Sequence, residues 1–467
     1  MKYDVIIVGA GPAGIFCAYE LNKLNPNYKI LLLDKGKNIY ERKCPVLEHK
    51  IKKCPINDGI SGCSPACSIT NGFGGAGAYS DGKFNITSEF GGWMTEYLDD
   101  DVVEGLIKYV DSINLEFGAP IEITDPTTPK IREIEKRGYA VGLKLLRAKV
   151  RHIGTENNLE VLKKMFDYLA ERIEMRYKTE VSDILVENGQ IKGVSIKGEN
   201  YYADKVFIGV GRDGSKWLQE TLLKHGLAFT NNQVDIGVRV ETNDVIMEEI
   251  NENLYEGKFV YRTSVGTEVR TFCSNPSGHV VVENHSGVML ANGHAYADKK
   301  MGSNNTNFAL LVSHKFSYPF DKPNEYAREV ATLANQLSNG GIIVQRYGDI
   351  CRGRRSTQKT IEEGYVRPTL REAVPGDLGL VLPYNTMKSL IEMIEALNHV
   401  TPGIANEHTL FYGVEAKFYS ARPEVSNNFE TKIKGLYVGG DGAGITRGLA
   451  QAGANGVWVA RAINNNK

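Results

Sequence analysis

The chain has 467 residues, 42% hydrophobic and 24% charged, which is long enough for two domains with buried cores. Its net charge of −1 gives no overall attraction to nucleic acid or to an anionic membrane, and no apolar run reaches the ~18 residues of a membrane span. Seven cysteines without secretory features fit a reducing compartment and predict a cytoplasmic protein.

The first element in chain order is a short apolar strand, predicted over Val5–Val8 and followed directly by glycines. The first glycine permits a tight turn, the second lets a pyrophosphate approach the backbone, and the third lets the next helix pack on the strand. The start of that helix would direct its N–H groups and positive dipole end at the phosphates. The residues of this predicted phosphate turn are Gly9, Gly11, Pro12, Ala13 and Gly14.

A second apolar run, Ile30–Leu33, ends at Asp34. This acidic residue lies about 20 residues after the last glycine, where a carboxylate can accept from both hydroxyls of an adenosine ribose. Strand, glycines, helix and acid in this order predict a dinucleotide site. An ordinary glycine-rich turn between a strand and a helix is the alternative.

Four cysteines follow within a short, locally basic segment: Cys44, Cys54, Cys63 and Cys67. Four thiolates could hold an iron–sulfur cluster or zinc, and a dithiol could relay electrons as a disulfide. The spacings match neither Cys-x-x-Cys pairs nor the ferredoxin pattern, so plain loop cysteines remain an alternative. The basic side chains around them would suit an acidic electron-donor protein, or simply a solvated loop.

The middle and the end of the chain carry two further signals. Asn188 and Gly189 lie between alternating apolar runs and predict a β-hairpin. Leu436–Val438 predicts another short strand that runs into glycines. Helices are expected over 139–150 and 387–397, and a strand over 378–382.

The stretch from Lys434 to Ala462 resembles the closing motif of flavoproteins. That resemblance implies that Asp441 binds the ribityl and phosphate part of FAD and that the following helix start faces the flavin ring. It also implies a backbone contact from Val181 to the adenine and a glycine-rich loop beside the flavin. The FAD contacts implied after Asp34 are Lys35, Arg42, Gly74, Gly75, Ala76, Val181, Gly211, Arg212, Asp441, Gly444, Gly448 and Leu449.

Four blocks are similar to those of a bacterial and archaeal family of FAD-dependent, or NAD(FAD)-utilizing, dehydrogenases. They are the glycine run before Lys83, Val269–Gly278, Ala291–Gly293 and Asn307–Val312. That family is distantly similar to geranylgeranyl reductases and to other flavoproteins of the glutathione-reductase type with two dinucleotide folds. The resemblance implies an α/β fold, with a Rossmann-like FAD-binding domain and an inserted α+β substrate or cap domain.

We expect the FAD-binding domain to be discontinuous and to comprise residues 1–85, 150–225 and 425–467. Residues 86–149 and 226–424 would form the substrate or cap domain. Apart from Gly209–Gly214, which lies within the expected FAD-binding domain, no second Gly-x-Gly-x-x-Gly follows a strand in the middle of the chain. NAD(P)H would therefore bind only transiently, or electrons would arrive from a partner protein.

The candidates for catalysis are Arg270, Cys273 and His279. A flavin hydride step needs a cation or donor for an oxyanion or carboxylate and an acid for a proton, and Arg and His fit those roles. A structural ion pair and a loop histidine are the alternatives. The expected function is an FAD-dependent oxidoreductase acting on a small molecule. A flavin-dependent RNA-modifying protein and a cysteine or iron–sulfur redox carrier or sensor are the competing hypotheses.

Overall fold

In the computed structural model the chain divides into two compact units. Unit 1 comprises residues 1–124, 148–230 and 420–467, and unit 2 comprises residues 125–147 and 231–419. The structure describes residues 2–45, 48, 50–51, 63–64, 66–254, 257–285, 287–296, 299–317, 319–320 and 322–465. Residues 86–124, which the sequence analysis assigned to the cap domain, cluster with unit 1, because helix 100–116 packs on the last helix of the chain.

The helices in chain order are α1 (Pro12–Leu24), α2 (Asp100–Glu116), α3 (Pro129–Tyr139), α4 (Thr155–Ala170), α5 (Ser215–Lys224), α6 (Asp244–Asn253), α7 (Pro323–Leu337), α8 (Tyr347–Cys351), α9 (Gln358–Glu362), α10 (Tyr384–Asn398) and α11 (Leu449–Asn465). Short 3₁₀ helices cover Gly75–Tyr79, Met94–Glu96, Arg212–Gly214, Lys299–Met301, Leu378–Leu380 and Asp441–Ala443.

The strands in chain order are β1 (Lys2–Tyr3), β2 (Val5–Val8), β3 (Ile30–Leu33), β4 (Lys83–Ile86), β5 (Leu143–Leu146), β6 (Lys149–His152), β7 (Glu174–Arg176), β8 (Asp183–Glu187), β9 (Gln190–Ile196), β10 (Glu199–Ala203), β11 (Val206–Ile208), β12 (Phe229–Thr230), β13 (Val234–Asn243), β14 (Lys258–Arg262), β15 (Glu268–Asn275), β16 (His279–His285), β17 (Val288–His294), β18 (Asn305–His314), β19 (Ile343–Arg346), β20 (Val374–Pro375), β21 (Leu410–Lys417), β22 (Arg422–Pro423) and β23 (Leu436–Val438).

Unit 1 is built on a parallel sheet of order β23-β11-β2-β3-β7. Its central strands β11, β2 and β3 are wholly apolar and fully buried, as a sheet covered on both faces requires. Helices α1 and α11 pack against each other. A methyl group at Gly456 would lie 2.0 Å from the carbonyl oxygen of Ala13, so this glycine permits their close approach. A second sheet, β1-β10-β9-β8, completes the α/β fold.

Unit 2 is built on a mostly antiparallel sheet of order β20-β19-β21-β13-β18-β15-β14-β5. The alternation along β13 divides its side chains between two faces. Val234, Ile236, Val238 and Val240 enter a core that also includes side chains of α7 and α10. The opposite face carries Asp235, Arg239 and Glu241, and the β16–β17 hairpin belongs to the same unit.

Two of the predicted elements are wrong. Residues 139–150 do not form a helix: α3 ends at Tyr139, Gly142 turns the chain with φ +77°, and β5 then pairs with β14. Leu378–Leu380 form a 3₁₀ helix instead of a strand, because the Asp377 carboxylate caps the backbone of Gly379. In both places hydrogen bonds outside the local apolar pattern decide the structure.

Candidate functional site

Three glycine-rich turns meet at the carboxyl-terminal end of the parallel sheet of unit 1. They follow β2, β11 and β23, which are adjacent parallel strands, so their carboxyl ends lie side by side. The backbone links the turns directly. Gly209 donates to Val8 at 2.9 Å, Gly439 donates to Ile208 at 3.0 Å, and Gly442 donates to Val210 at 2.9 Å. The strand order changes direction at β2, which is where open α/β sheets bind ligands.

The glycines of the first turn have distinct geometric roles. Gly9 has φ +104°, and a methyl group there would lie 2.8 Å from the carbonyl oxygen of Gly209. A methyl group at Gly14 would lie 1.8 Å from the carbonyl oxygen of Gly9, so only glycine lets α1 pack on β2. Gly11 differs, because the nearest atom to a methyl group there is the Cα of Gly75 at 4.0 Å. The first and third glycines thus serve packing, and the second leaves the backbone approachable.

The start of α1 suits an anionic group. Gly11 is the N-cap and supplies no side-chain cap, and Pro12 occupies the first helical turn. The N–H groups of the first turn lack acceptors within the helix and lie at its positive dipole end. A pyrophosphate would satisfy both the hydrogen bonds and the charge.

Asp34 lies at the same edge, directly after β3. Its carboxylate accepts from the backbone N–H of Ala10 at 2.8 Å and of Gly36 at 2.7 Å. These bonds fix the carboxylate against the first turn while each oxygen keeps a second acceptor position. Asp441 follows β23, three strand spacings away, which corresponds to roughly 14 Å across the sheet. An elongated dinucleotide fits such a separation better than a compact ligand does.

The glycine run predicted to lie beside the flavin begins with a left-handed turn. Gly74 and Gly75 have φ values of +87° and +57°, and the 3₁₀ helix begins at Gly75. The N–H of Gly74 donates to the carbonyl of Ala10 at 2.8 Å, which joins this run to the first turn. A methyl group at Gly77 would lie 2.4 Å from the side chain of Leu449, at the start of α11. The run including Ala76 therefore lies between the two nucleotide motifs.

Arg42 is committed to the protein backbone. Its guanidinium donates to the carbonyls of Ser68, Ile69 and Phe73 at 2.6 to 2.9 Å, and the side chain is buried. This geometry differs from the cofactor contact implied for Arg42 and makes it a positioning residue for the glycine run. Lys35, another implied contact, forms an ion pair with Asp213 at 2.6 Å.

The closing motif places Asp441 within a 3₁₀ turn. Its carboxylate accepts from the hydroxyl of Thr446 at 2.7 Å. Burial raises the pKa of Asp441, while the bond from Thr446 and the positive charges of Arg447 and Arg212 oppose that shift. Gly444 packs closely on the chain, because a methyl group there would lie 2.3 Å from the carbonyl oxygen of Ser420.

Open backbone positions occur in each of the three turns. A methyl group at Gly211 or at Gly448 would meet no atom within 4 Å, and one at Gly11 would meet only the Cα of Gly75 at 4.0 Å. Gly211 is the N-cap of the 3₁₀ helix that begins at Arg212, and Val181 is buried just before β8. These turns, with Asp34 and Asp441, provide the open backbone, helix dipole and carboxylates that an FAD molecule requires.

The cysteine segment gives no support to a metal site. Cys44, Cys63 and Cys67 are thiols outside any disulfide, and Cys54 lies outside the described residues. Across the part of the chain that the structure describes, no group of three or more His, Cys, Asp or Glu side chains could hold a metal ion. Likewise, no helix among the described residues is long and apolar enough to cross a membrane.

The predicted catalytic residues lie in unit 2, and each has its own local contacts. Arg270 donates to Glu268 at 2.5 Å, and a ring nitrogen of His279 lies 2.9 Å from the carbonyl oxygen of Met301. Cys273 is exposed and has φ +35° at a bulge in β15. Their joint role in catalysis stays a prediction.

A buried residue that the sequence analysis did not single out is Arg239. It lies in β13 with an exposed fraction of 0% and contacts side chains of other strands in unit 2. The signal for it was present in the sequence, because Asp235, Arg239 and Glu241 place charges on one face of an otherwise apolar strand.

Two family models match parts of the chain. Residues 233–418 match the model described as FAD-dependent protein, C-terminal domain-like, and residues 7–40 match the model of an NAD(P)-binding Rossmann-like domain. An uncharacterized protein of Clostridium beijerinckii is 26% identical over 490 residues, which cover 99% of this chain and 81% of that protein.

Solved structures show a distant likeness over the whole chain. Glycine oxidase from Bacillus cereus has a TM-score of 0.36 and 11% identity, with 100% of this chain and 96% of that chain covered. L-proline dehydrogenase from P. horikoshii has a TM-score of 0.38 and 12% identity, with 100% and 94% covered. Likenesses of this degree say nothing about substrate.

The conclusion rests on the geometry of unit 1 together with the two family models. The Rossmann-like model covers the first glycine turn and Asp34, and the FAD-dependent model covers most of unit 2. The chain therefore combines a Rossmann-like nucleotide-binding domain with a region similar to the C-terminal domain of FAD-dependent proteins.

Proposed function

We propose that the protein binds FAD non-covalently in unit 1 and transfers hydride between the flavin and a small-molecule substrate that unit 2 selects. The observation that carries this proposal is the set of open glycines, Gly11, Gly211 and Gly448, in three turns at one sheet edge. Packing accounts for Gly9 and Gly14, where an added methyl group would collide with backbone, but it does not account for glycine at Gly11, Gly211 and Gly448.

The residues of unit 1 divide the cofactor between them in this proposal. Asp34 would accept from the adenosine ribose, and the N-terminus of α1 would hold the pyrophosphate. Asp441 would bind the ribityl part, and the Gly74–Ala76 run would present bare backbone to the ring. FAD, when bound, supplies the hydride acceptor, and the protein supplies orientation and exclusion of water.

The electron donor is part of the same proposal. NAD(P)H would bind only transiently, since both Gly-x-Gly-x-x-Gly motifs that follow strands, Gly9–Gly14 and Gly209–Gly214, lie in unit 1 and none lies in unit 2. A partner protein is the second candidate donor. Anaerobic mixing with NADH, NADPH or dithionite separates the two, because a nicotinamide donor bleaches the flavin absorbance and a protein-dependent enzyme responds to dithionite alone.

The test of FAD binding is Asp441→Asn. We expect the dissociation constant for FAD to rise about tenfold or more, because the ribityl contact loses its charged acceptor. Without flavin, the Asp441→Asn variant should unfold at the same temperature as the flavin-free parent chain or at a higher one. Burial raises the folded-state pKa of Asp441, so its ionised form costs stability at pH 7 and the amide removes that cost.

The control is Asp204→Asn, which changes an exposed acid two residues before β11, at the opposite end of the sheet. Its affinity for FAD should equal that of the parent chain. Fluorescence titration of flavin-free protein measures both variants. Purified protein that lacks flavin absorbance and takes up no added FAD would contradict the proposal.

A further inference from the structure

The strongest unassigned group of side chains surrounds Arg239 in unit 2. We call Arg239, Asn275, Gly293, Asn307 and Glu415 the Arg239 cluster. The Nε of Arg239 donates to Oδ1 of Asn307 at 3.0 Å. Neither Nη1 nor Nη2 has a hydrogen-bond acceptor among the described residues, although the side chain is fully buried. A buried guanidinium without acceptors is costly, so its retention calls for an explanation.

The amide of Asn307 provides a further buried donor. Its Oδ1 accepts from Arg239 and also from Nδ2 of Asn275 at 3.3 Å. Two donors converge on this atom, which establishes that it is the oxygen and that Nδ2 points the other way. That Nδ2 is also buried and finds no acceptor in the described part of the chain.

The carboxylates near Arg239 leave its outer edge open. Glu415 Oε2 lies 3.5 Å from Nη1 of Arg239, beyond a normal hydrogen bond, and Oε1 lies 3.1 Å from Nζ of Lys417. The oxygens of Glu241, two residues along β13, accept from Tyr412, Thr369 and Asn305. Neither carboxylate therefore accepts a hydrogen bond from the Arg239 guanidinium.

The cluster lies directly beneath the β16–β17 hairpin. A methyl group at Gly293 of β17 would lie 1.9 Å from Nη2 of Arg239, 2.2 Å from Oδ1 of Asn307 and 2.4 Å from Nδ2 of Asn275. Gly293 and Asn275 are both partly exposed. The buried donors of Arg239 and Asn307 therefore lie directly beneath residues that reach the surface.

A bulge in β15 sets the position of Asn275. The register between β15 and β18 shifts between Phe272 and Asn275, and Cys273 adopts φ +35° there. Bulges with strained residues re-aim side chains and recur next to binding sites. Three segments far apart in sequence, at Asn275, Gly293 and Asn307, thus meet on one arginine.

We propose that the Arg239 cluster binds a carboxylate group of the small-molecule substrate, an inference that rests on the proposed function. The outer edge of a guanidinium presents parallel N–H groups that match the two oxygens of a carboxylate, and Asn307 Nδ2 adds another donor. A doubly charged phosphate would lie close to the Glu415 carboxylate and be repelled more strongly than a singly charged carboxylate.

The test uses acids with neutral amides of the same shape as controls. Benzoate and benzamide, and acetate and acetamide, are titrated into the full-length purified protein and followed by calorimetry and saturation-transfer NMR. We expect the acids to bind and the amides not to bind. Inorganic phosphate and chloride at matched ionic strength should not displace benzoate, and displacement by either would overturn the carboxylate assignment.

Two nearly isosteric variants should shift benzoate binding in opposite directions. Asn307→Asp places a fixed carboxylate against Arg239, so benzoate should bind at least about tenfold more weakly and the unfolding temperature should not fall. Glu415→Gln removes the competing carboxylate, so benzoate should bind about threefold more tightly or better. If Arg239 and Glu415 formed only a structural ion pair, the two variants would not change the affinity for benzoate in opposite directions.

The matched control is Arg346→Lys, which alters another buried arginine of unit 2. Arg346 already pairs with Asp349 at 3.1 Å, so its replacement should leave benzoate affinity unchanged. Absence of benzoate and acetate binding to the parent chain, or equal effects of Asn307→Asp and Glu415→Gln, would overturn the inference. Binding of these acids needs no turnover, so a failure of FAD uptake leaves this result readable.

Discussion

The candidate sites of the two units are built from different groups of the polypeptide, the backbone in unit 1 and side chains in unit 2. In unit 1 the site is made mainly of backbone, in three glycine turns at the ends of adjacent parallel strands. In unit 2 the Arg239 cluster is made of side chains that β13, β15, β18 and β21 bring together. Where backbone packs on backbone, as at Gly9 and Gly14, an added atom has no room, whereas the ends of side chains can adjust. The two units should therefore respond differently to the same small substitution.

The largest expected effect is that of Gly14→Ala in unit 1. The added methyl group would lie 1.8 Å from a backbone carbonyl, so α1 must move away from β2. We expect a loss of about 3 kcal/mol or more in the free energy of unfolding, together with loss of FAD binding. Urea unfolding followed by tryptophan fluorescence measures this in unit 1, because Trp93, Trp217 and Trp458 all lie there.

Gly105→Ala is the matched control for this prediction. Gly105 lies in α2 of the same unit, and a methyl group there meets no atom within 4 Å. Since alanine favours the helix, the free energy of unfolding should rise by about 0.5 to 1 kcal/mol. A Gly14→Ala protein as stable as the Gly105→Ala protein would contradict the packing role assigned to the third glycine.

A smaller effect is expected for Gly293→Ala in unit 2. The added methyl group meets the ends of Arg239, Asn307 and Asn275, which can shift by rotation about their side-chain bonds. We expect a loss of about 1 to 2 kcal/mol and weaker benzoate binding. Far-UV circular dichroism detects the loss while tryptophan fluorescence does not, provided that the two units unfold separately. A loss as large as that of Gly14→Ala would remove the contrast between backbone and side-chain sites.

The last expected effect, similar in size to that of Gly293→Ala, is an acid sensitivity of unit 2. Burial lowers the pKa of His314 from 6.5 to about 4. The unfolded chain thus takes up a proton near pH 6.5 that the folded chain refuses until about pH 4, and stability falls as the pH drops through that window. Between pH 7 and pH 5 we expect a loss on the order of 1 to 2 kcal/mol.

His314→Gln should flatten this dependence, because glutamine does not titrate. Unfolding by urea across the pH range, followed by circular dichroism, measures both proteins. An identical pH dependence in the two proteins would show that other groups control the acid response.

Local patterns were sufficient wherever one short segment determines its own structure. The hairpin at Asn188 and Gly189 is confirmed, with φ values of +50° and +73° that a type I′ turn requires. Residues 387–397 lie within α10 as predicted. The patterns failed over 139–150, where pairing with β14 replaces a helix, and over 378–382, where contacts with Asp377 and Gln345 replace a strand.

The sequence alone determined the nucleotide motif of unit 1, because the spacing of glycines between a strand and a helix is a local property that a turn and a phosphate both require. Only the tertiary structure showed that Arg42 supports the glycine run and that Asn275, Gly293 and Asn307 meet on Arg239. Strand register and the β15 bulge create those contacts. Asn275 and Asn307 are 32 positions apart, and no local sequence pattern predicts that they meet.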